Sequence, residues 1–150
     1  MQTKQGGGTR SVKRFKIVWN KKLEEAFLAK QAEFKRRGIP SEEILAFHGT
    51  DQSNVDSILQ SNLQYQQFRR AHGLAHGPGN YFSEFPQISF KYGQALILFR
   101  VLPGHEYEGS TLDIPLNFHS KKVGGNTEGF GKMLIIKDSD QFVPYVVYEF

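Results

Sequence analysis

Phe47-His48-Gly49-Thr50 closes one short apolar run, Ile44-Leu45-Ala46-Phe47, and Gly77-Pro78-Gly79-Asn80-Tyr81-Phe82-Ser83 opens a second. An apolar run of this length that stops on a polar residue and a glycine reads as a buried strand. His48 then stands at a strand end, where a polar side chain and bare backbone can face a ligand together. Taken alone, a histidine in such a place is more often a packing residue than a functional one. Gly77-Pro78-Gly79 reads as a turn leading into Tyr81-Phe82-Ser83, a short strand or turn. It is not a dinucleotide fingerprint, because the third glycine and a long preceding strand are missing. No Gly-Lys-Ser or Gly-Lys-Thr phosphate loop is present either.

Upstream, Ser11 to Trp19 alternates as a short strand with Phe15, Ile17 and Trp19 on one face. Asn20 is the expected N-cap of a helix in which Leu23, Phe27, Lys30 and Phe34 keep the helical period up to Arg37. Gly38 ends that helix and Pro40 prevents its resumption. Val55, Ile58, Leu59 and Leu63 mark a shorter helix, capped by Asp51 or Ser53. The glycine-rich stretch Arg69 to Asn80 reads as a loop. Pro86 suits the first position of a helix reaching Tyr92. Ala95 to Val101 is the clearest buried strand, and residues 103–131 read as loops around one or two short strands. Met133 to Ile136 and Phe142 to Tyr148 complete roughly six strands, an α+β pattern.

The 150 residues suit one domain, expected over 11–150, with residues 1–10 around Gly6-Gly7-Gly8 as a flexible tail. The absence of cysteine excludes disulfides, thiolate nucleophiles and the common zinc sites. His72 and His76 have metal-ligand spacing, but the intervening glycines argue against a helix, and no metal is expected. No apolar run has the length of a membrane helix, and nothing near Met1 resembles a signal peptide. The expectation is a soluble intracellular protein, cytoplasmic or nuclear, without a membrane partner. The net charge of +4 invites a nucleic-acid reading. Its distribution qualifies that: 11 basic and three acidic residues lie in 1–40, eight basic and 12 acidic in 41–150. Arg69-Arg70 and Lys121-Lys122 read as solvated loop charges.

In order, Phe47-His48-Gly49-Thr50, Gly77-Pro78-Gly79-Asn80-Tyr81-Phe82-Ser83, Ser89 and Tyr92 resemble the catalytic core of the poly(ADP-ribose) polymerase-like (diphtheria-toxin-like) ADP-ribosyltransferases. That family carries His-Gly-Ser/Thr, then Gly-x-Gly-x-Tyr-Phe-Ala/Ser, then Ser-x-x-Tyr, then a strand bearing a third motif residue. The resemblance runs from about Trp19 to the C-terminus. It implies two small, mainly antiparallel sheets with a few short helices around a cleft for NAD, which is the substrate. His48 would donate a hydrogen bond to a ribose hydroxyl. Gly49 would offer its backbone, and Ser89 its hydroxyl, to the nicotinamide carboxamide. Tyr81 and Tyr92 would sandwich the ring, and Thr50 and Gly79 belong to the same binding set. Arg69, Arg70, His72 or His76 would reach the adenosine half from the loop above it.

The third position decides the type of transfer. Polymerizing members carry a glutamate at the start of the penultimate strand. Here the placement falls on Met133; Pro144 and Glu128 are weaker alternatives. A thioether accepts hydrogen bonds poorly and cannot act as a general base. The resemblance therefore implies transfer of one ADP-ribose to a protein acceptor, with His48, Tyr81 and Met133 as the catalytic set. Two other readings stand beside it: an NAD-binding pseudoenzyme, and a nucleic-acid-binding module that uses the basic N-terminal segment.

Overall fold

The computed structural model describes residues 2–5, 8–67, 76–90, 93–124 and 132–150. Its elements in chain order begin with β1 (Gln2–Gln5), β2 (Gly8–Ser11), β3 (Arg14–Ile17), α1 (Lys21–Arg36), β4 (Ile44–Thr50) and α2 (Val55–Ser61). They continue with β5 (Asn80–Ser83), α3 (Pro86–Ser89), β6 (Ala95–Val101), β7 (Glu106–Tyr107), β8 (Ser120–Gly124), β9 (Lys132–Ile136) and β10 (Phe142–Glu149). The class is α+β, as the sequence indicates.

The sheet differs from the expected pair. Eight strands form one sheet in the order β3-β10-β6-β4-β5-β9-β8-β7, antiparallel throughout except for β7 and β8. The two halves meet at β4 and β5 through a single cross-strand pair, Phe47↔Ser83. By contrast, β4 pairs with β6 along its whole length, from Ile44↔Val101 to Thr50↔Ala95. The residues expected as a tail also differ: Gln2–Gln5 and Gly8–Ser11 pair as an antiparallel two-stranded ribbon.

Two layers of side chains follow from strand alternation. On one face Ala46, Ile97, Phe99, Val101, Phe142 and Val147 pack with Phe82, Leu134 and Ile136 under Val55, Ile58 and Leu63 of the α2 region. Phe99 meets Phe82 and Phe142 edge to face, and Phe82 and Phe142 are tilted, with centroids 4.9 to 5.9 Å apart. Burying each such ring contributes about 1.5–3 kcal/mol, with about 0.5–1.5 kcal/mol more from each aromatic pair. On the opposite face α1 buries Phe27 and Phe34 against Ile39, Leu102 and Val143. Arg100 of β6 lies over the Phe27 ring and binds Glu24 and Glu43, which hold its pKa further above the ordinary value.

Local signals explain most helix boundaries. Asn20 caps α1 by accepting from the Leu23 N–H at 3.2 Å, and Gly38 leaves the helix at φ 70°. The expected caps of α2, Asp51 and Ser53, do not serve: a 3₁₀ turn over Gln52–Asn54 intervenes, and neither side chain caps the helix. Of the helix expected from Pro86 to Tyr92, α3 covers Pro86–Ser89, and Tyr92 lies outside the described residues.

Asn62 closes α2 with φ 68° and donates to the carbonyls of Ser139 at 2.9 Å and Phe142 at 2.8 Å, fixing the helix to β10. Asn62→Ala should therefore lose about 2–3 kcal/mol of unfolding free energy, two hydrogen bonds plus the strain of positive φ. Asn62→Gly should recover about 1 kcal/mol of that loss. Urea denaturation of both variants checks this, and equal losses would remove the conformational part.

Candidate functional site

The strands β4 and β5 separate beyond Phe47↔Ser83, and a cleft of about 570 Å³ opens there. That size lies within the usual range for small-molecule sites. His48, Gly49 and Thr50 from β4, Tyr81 from β5, Ser89 from α3 and Met133 from β9 all line it. Six of the eight residues singled out from the sequence thus come together. Tyr92 is outside the described residues, as are Arg69, Arg70, His72 and Glu128.

His48 bridges the gap between the diverging strands. Its Nδ1 lies 2.7 Å from the Tyr81 carbonyl oxygen, and the ring packs near Phe82 and Phe99 at 5.9 and 6.0 Å. A carbonyl only accepts, so Nδ1 carries the proton and donates. Burial pushes the pKa of His48 down to about 4, with the Tyr81 bond opposing, so the ring is neutral at pH 7. The other ring nitrogen is then an acceptor. A ligand group meeting that nitrogen would have to donate, the reverse of the polarity expected at His48.

Gly49 must be a glycine for a reason the sequence did not reveal. A Cβ there would stand 1.7 Å from the Ser89 carbonyl oxygen, because α3 rests its backbone directly on β4. That contact brings Ser89 to the cleft. Ser83 donates its hydroxyl to the Phe85 carbonyl at 2.8 Å, so the close bond between the Ser83 and Ser89 hydroxyls takes its proton from Ser89. Ser89 thus presents lone pairs, suited to an amide N–H.

Tyr81 has a second duty. Its hydroxyl donates to the Gly77 carbonyl and accepts from the His76 N–H at 2.8 Å, fastening the Gly77-Pro78-Gly79 turn to the cleft wall. Gly79 is not itself on the wall. Its φ is 147°, and an added Cβ would meet Ile135 Cγ2 at 2.4 Å, so it permits the close approach of the turn to β9. Met133 lies opposite Ser83 on β9, the strand before the last, in an apolar cluster with Tyr81, Ile88 and Ile135. The alternative, Pro144, lines a separate groove with Lys16 and Leu59.

Two features escaped the sequence reading. Asn54, Ser57, Ser61 and Gln64 line the cleft from the α2 side. Their helical spacing of three and four is the available signal, interleaved with the apolar positions of the same segment. Lys121, expected as a solvated charge, is buried at 4% exposure and donates to the carbonyls of His76, Thr111 and Leu112. Lys122 pairs with Glu106 at 2.6 Å. Among the described residues no three His, Asp or Glu side chains gather as a metal site requires, and no helix is long and apolar enough to cross a membrane.

The family model described as "Poly(ADP-ribose) polymerase catalytic domain" matches residues 2–142. The chain belongs to that family. It is 36% identical over 104 residues to the putative poly [ADP-ribose] polymerase-like 100L of Invertebrate iridescent virus 6, an alignment covering 63% of this chain. The chain spans about half of that relative's length, 55%. The crystal structure of the TASOR pseudo-PARP domain shares the fold, with a TM-score of 0.74 at 16% identity over 92% of this chain and 81% of that one. The mixed sheet and short helices are therefore those of a PARP-type domain, and NAD is that family's substrate. The cleft of this PARP-type domain brings together a neutral ring at His48, lone pairs at Ser89 and an aromatic wall at Tyr81.

The buried neutral His48 makes the domain acid-sensitive. The unfolded chain binds a proton near pH 6.5, the folded one only near pH 4, so stability is complete above pH 6.5 and falls across the interval to pH 4. The loss amounts to about 3 kcal/mol at most. Denaturant titrations of wild type and His48→Gln across that interval should show a shallower slope for the variant, and parallel slopes would contradict the assignment.

Proposed function

We propose that this domain binds NAD in the cleft and transfers a single ADP-ribose from it to a protein acceptor. One observation supports the reading: a buried neutral His48 shares the cleft wall with Met133, the residue that the motif order sets where a polymerizing member has a glutamate. NAD brings a nicotinamide leaving group on an anomeric carbon, and the chain's own residues orient it. His48, with its Nδ1 proton committed to the Tyr81 carbonyl, would orient a ribose hydroxyl that donates to the ring. Ser89 and the Gly49 backbone would hold the carboxamide, and Tyr81 would flank the ring. Such positioning lowers the barrier chiefly by removing orientational freedom.

The Met133 thioether cannot remove a proton from an incoming hydroxyl. Among the described residues the cleft has one carboxylate on its lining, Asp51, and it is exposed to solvent. The acceptor must then bring a nucleophile that is already ionised at neutral pH, which favours a carboxylate side chain. Chain elongation needs an activated ribose hydroxyl and gains no help from this wall. The same lack of a base favours a second reading, an NAD-binding domain without turnover.

Incubation with labelled NAD followed by mass spectrometry separates these outcomes. Single ADP-ribose adducts should form on wild type or an added acceptor, and His48→Ala and Tyr81→Ala should lose roughly 100-fold in labelling. Ladders of several units would refute single transfer. Thermal stabilisation by NAD without any labelling would establish the non-transferring reading, and neither response would remove NAD from the cleft.

A further inference from the structure

We propose that the outer edge of β3 is a docking strand for an extended protein segment in which apolar and acidic residues alternate. β3 ends the eight-stranded sheet: it pairs with β10 on one side and, among the described residues, with no strand on the other. An antiparallel edge strand turns alternate N–H and C=O groups outward, where an added strand can pair with them. All four residues of β3 are exposed. Phe15 and Ile17 are 64% and 66% exposed, and Trp19 just beyond is 71%. Phe15 lies opposite Tyr148, whose ring is 6.2 Å from that of Phe47, so the apolar side of the edge continues across the sheet. Large apolar side chains standing together in solvent mark a surface that a partner covers.

Strand alternation sends Arg14 and Lys16 to the other face. Residues 10–22 contain Arg10, Lys13, Arg14, Lys16, Lys21 and Lys22 and no acidic residue. Nearby carboxylates answer part of this charge, Glu149 at Arg14 and Glu25 at Lys21. An added strand would therefore meet apolar side chains on one face and cations on the other, which its own alternation must match. A second copy of the chain fits poorly, because edge-to-edge pairing would bring Arg14 and Lys16 onto the same face as the other copy's cations. Single-stranded nucleic acid fits poorly for another reason. It needs bases on aromatic rings and phosphates on cations within one groove, whereas within β3 Phe15 and Ile17 face away from Arg14 and Lys16.

Trp19 is the chain's single tryptophan, so its emission reports directly on this edge. The full chain is titrated with a short peptide alternating valine and glutamate, with a scrambled peptide of equal composition, and with a single-stranded oligonucleotide. The alternating peptide should give a saturable blue shift. Lys16→Glu should weaken that peptide about tenfold, and a valine–lysine peptide should restore binding to the variant. Circular dichroism confirms that the variant is folded, and Ile17→Lys, which removes part of the apolar side, should also weaken binding. The absence of a shift, an equal response to the scrambled peptide, or a response to the oligonucleotide in place of the peptide overturns the proposal. A shift driven by protein concentration alone, with a dimer in sedimentation, overturns it in favour of self-pairing.

Discussion

The donation from His48 Nδ1 to the Tyr81 carbonyl connects the two halves of the sheet where their backbone pairing stops. Strands that separate after one cross-strand pair create space between them, but they also leave a weak seam. A buried imidazole closes the seam from one side, and the Phe82–Phe99 aromatic contact supports it from below. The same bond fixes which nitrogen carries the proton, and burial keeps the ring uncharged. Fold and site chemistry therefore depend on one side chain. A residue that could only pack would leave the carbonyl without this partner, and a charged one would pay heavily for its desolvation.

The neighbours of His48 show the same economy of position. Gly49 lets the α3 backbone approach β4, and that approach delivers Ser89 to the cleft. Tyr81 faces the cleft and fastens the Gly77-Pro78-Gly79 turn with its hydroxyl. Lys121 holds the same region from behind through the His76 carbonyl. Each motif residue has a structural duty that would require it even without a ligand, so its presence alone does not measure catalytic competence.

This double duty also explains how much was legible in the sequence. The order of motifs, the α1 helix with its Asn20 cap, and Met133 on the strand before the last all follow from local pattern. The single sheet does not, because Phe47↔Ser83 joins residues far apart in sequence and nothing local distinguishes one joining pair from none. The acceptor polarity of His48 depends on a carbonyl contributed by another strand. The place of Gly79 behind the cleft lining is not legible either, because motif spacing cannot tell a wall residue from one that lets the wall form. Lys121 looked solvated because three carbonyls from two separate loops supply its burial site. The ribbon of β1 and β2 was missed because polar, glycine-containing segments have no apolar alternation to read.

The apolar setting of Met133 bears on the chemistry independently of its own side chain. It packs with Tyr81, Ile88 and Ile135, partly covered by Val123, and is itself buried. A carboxyl introduced among such neighbours would be desolvated, and desolvation raises a carboxyl's pKa. It would tend to hold its proton at neutral pH, where a general base must be ionised. A glutamate placed at this one position would therefore not by itself supply a base. The surrounding cluster would also have to supply a donor or a cation, as ionised buried carboxylates require. The proposal of single transfer thus rests on the whole wall around Met133 and not on one side chain.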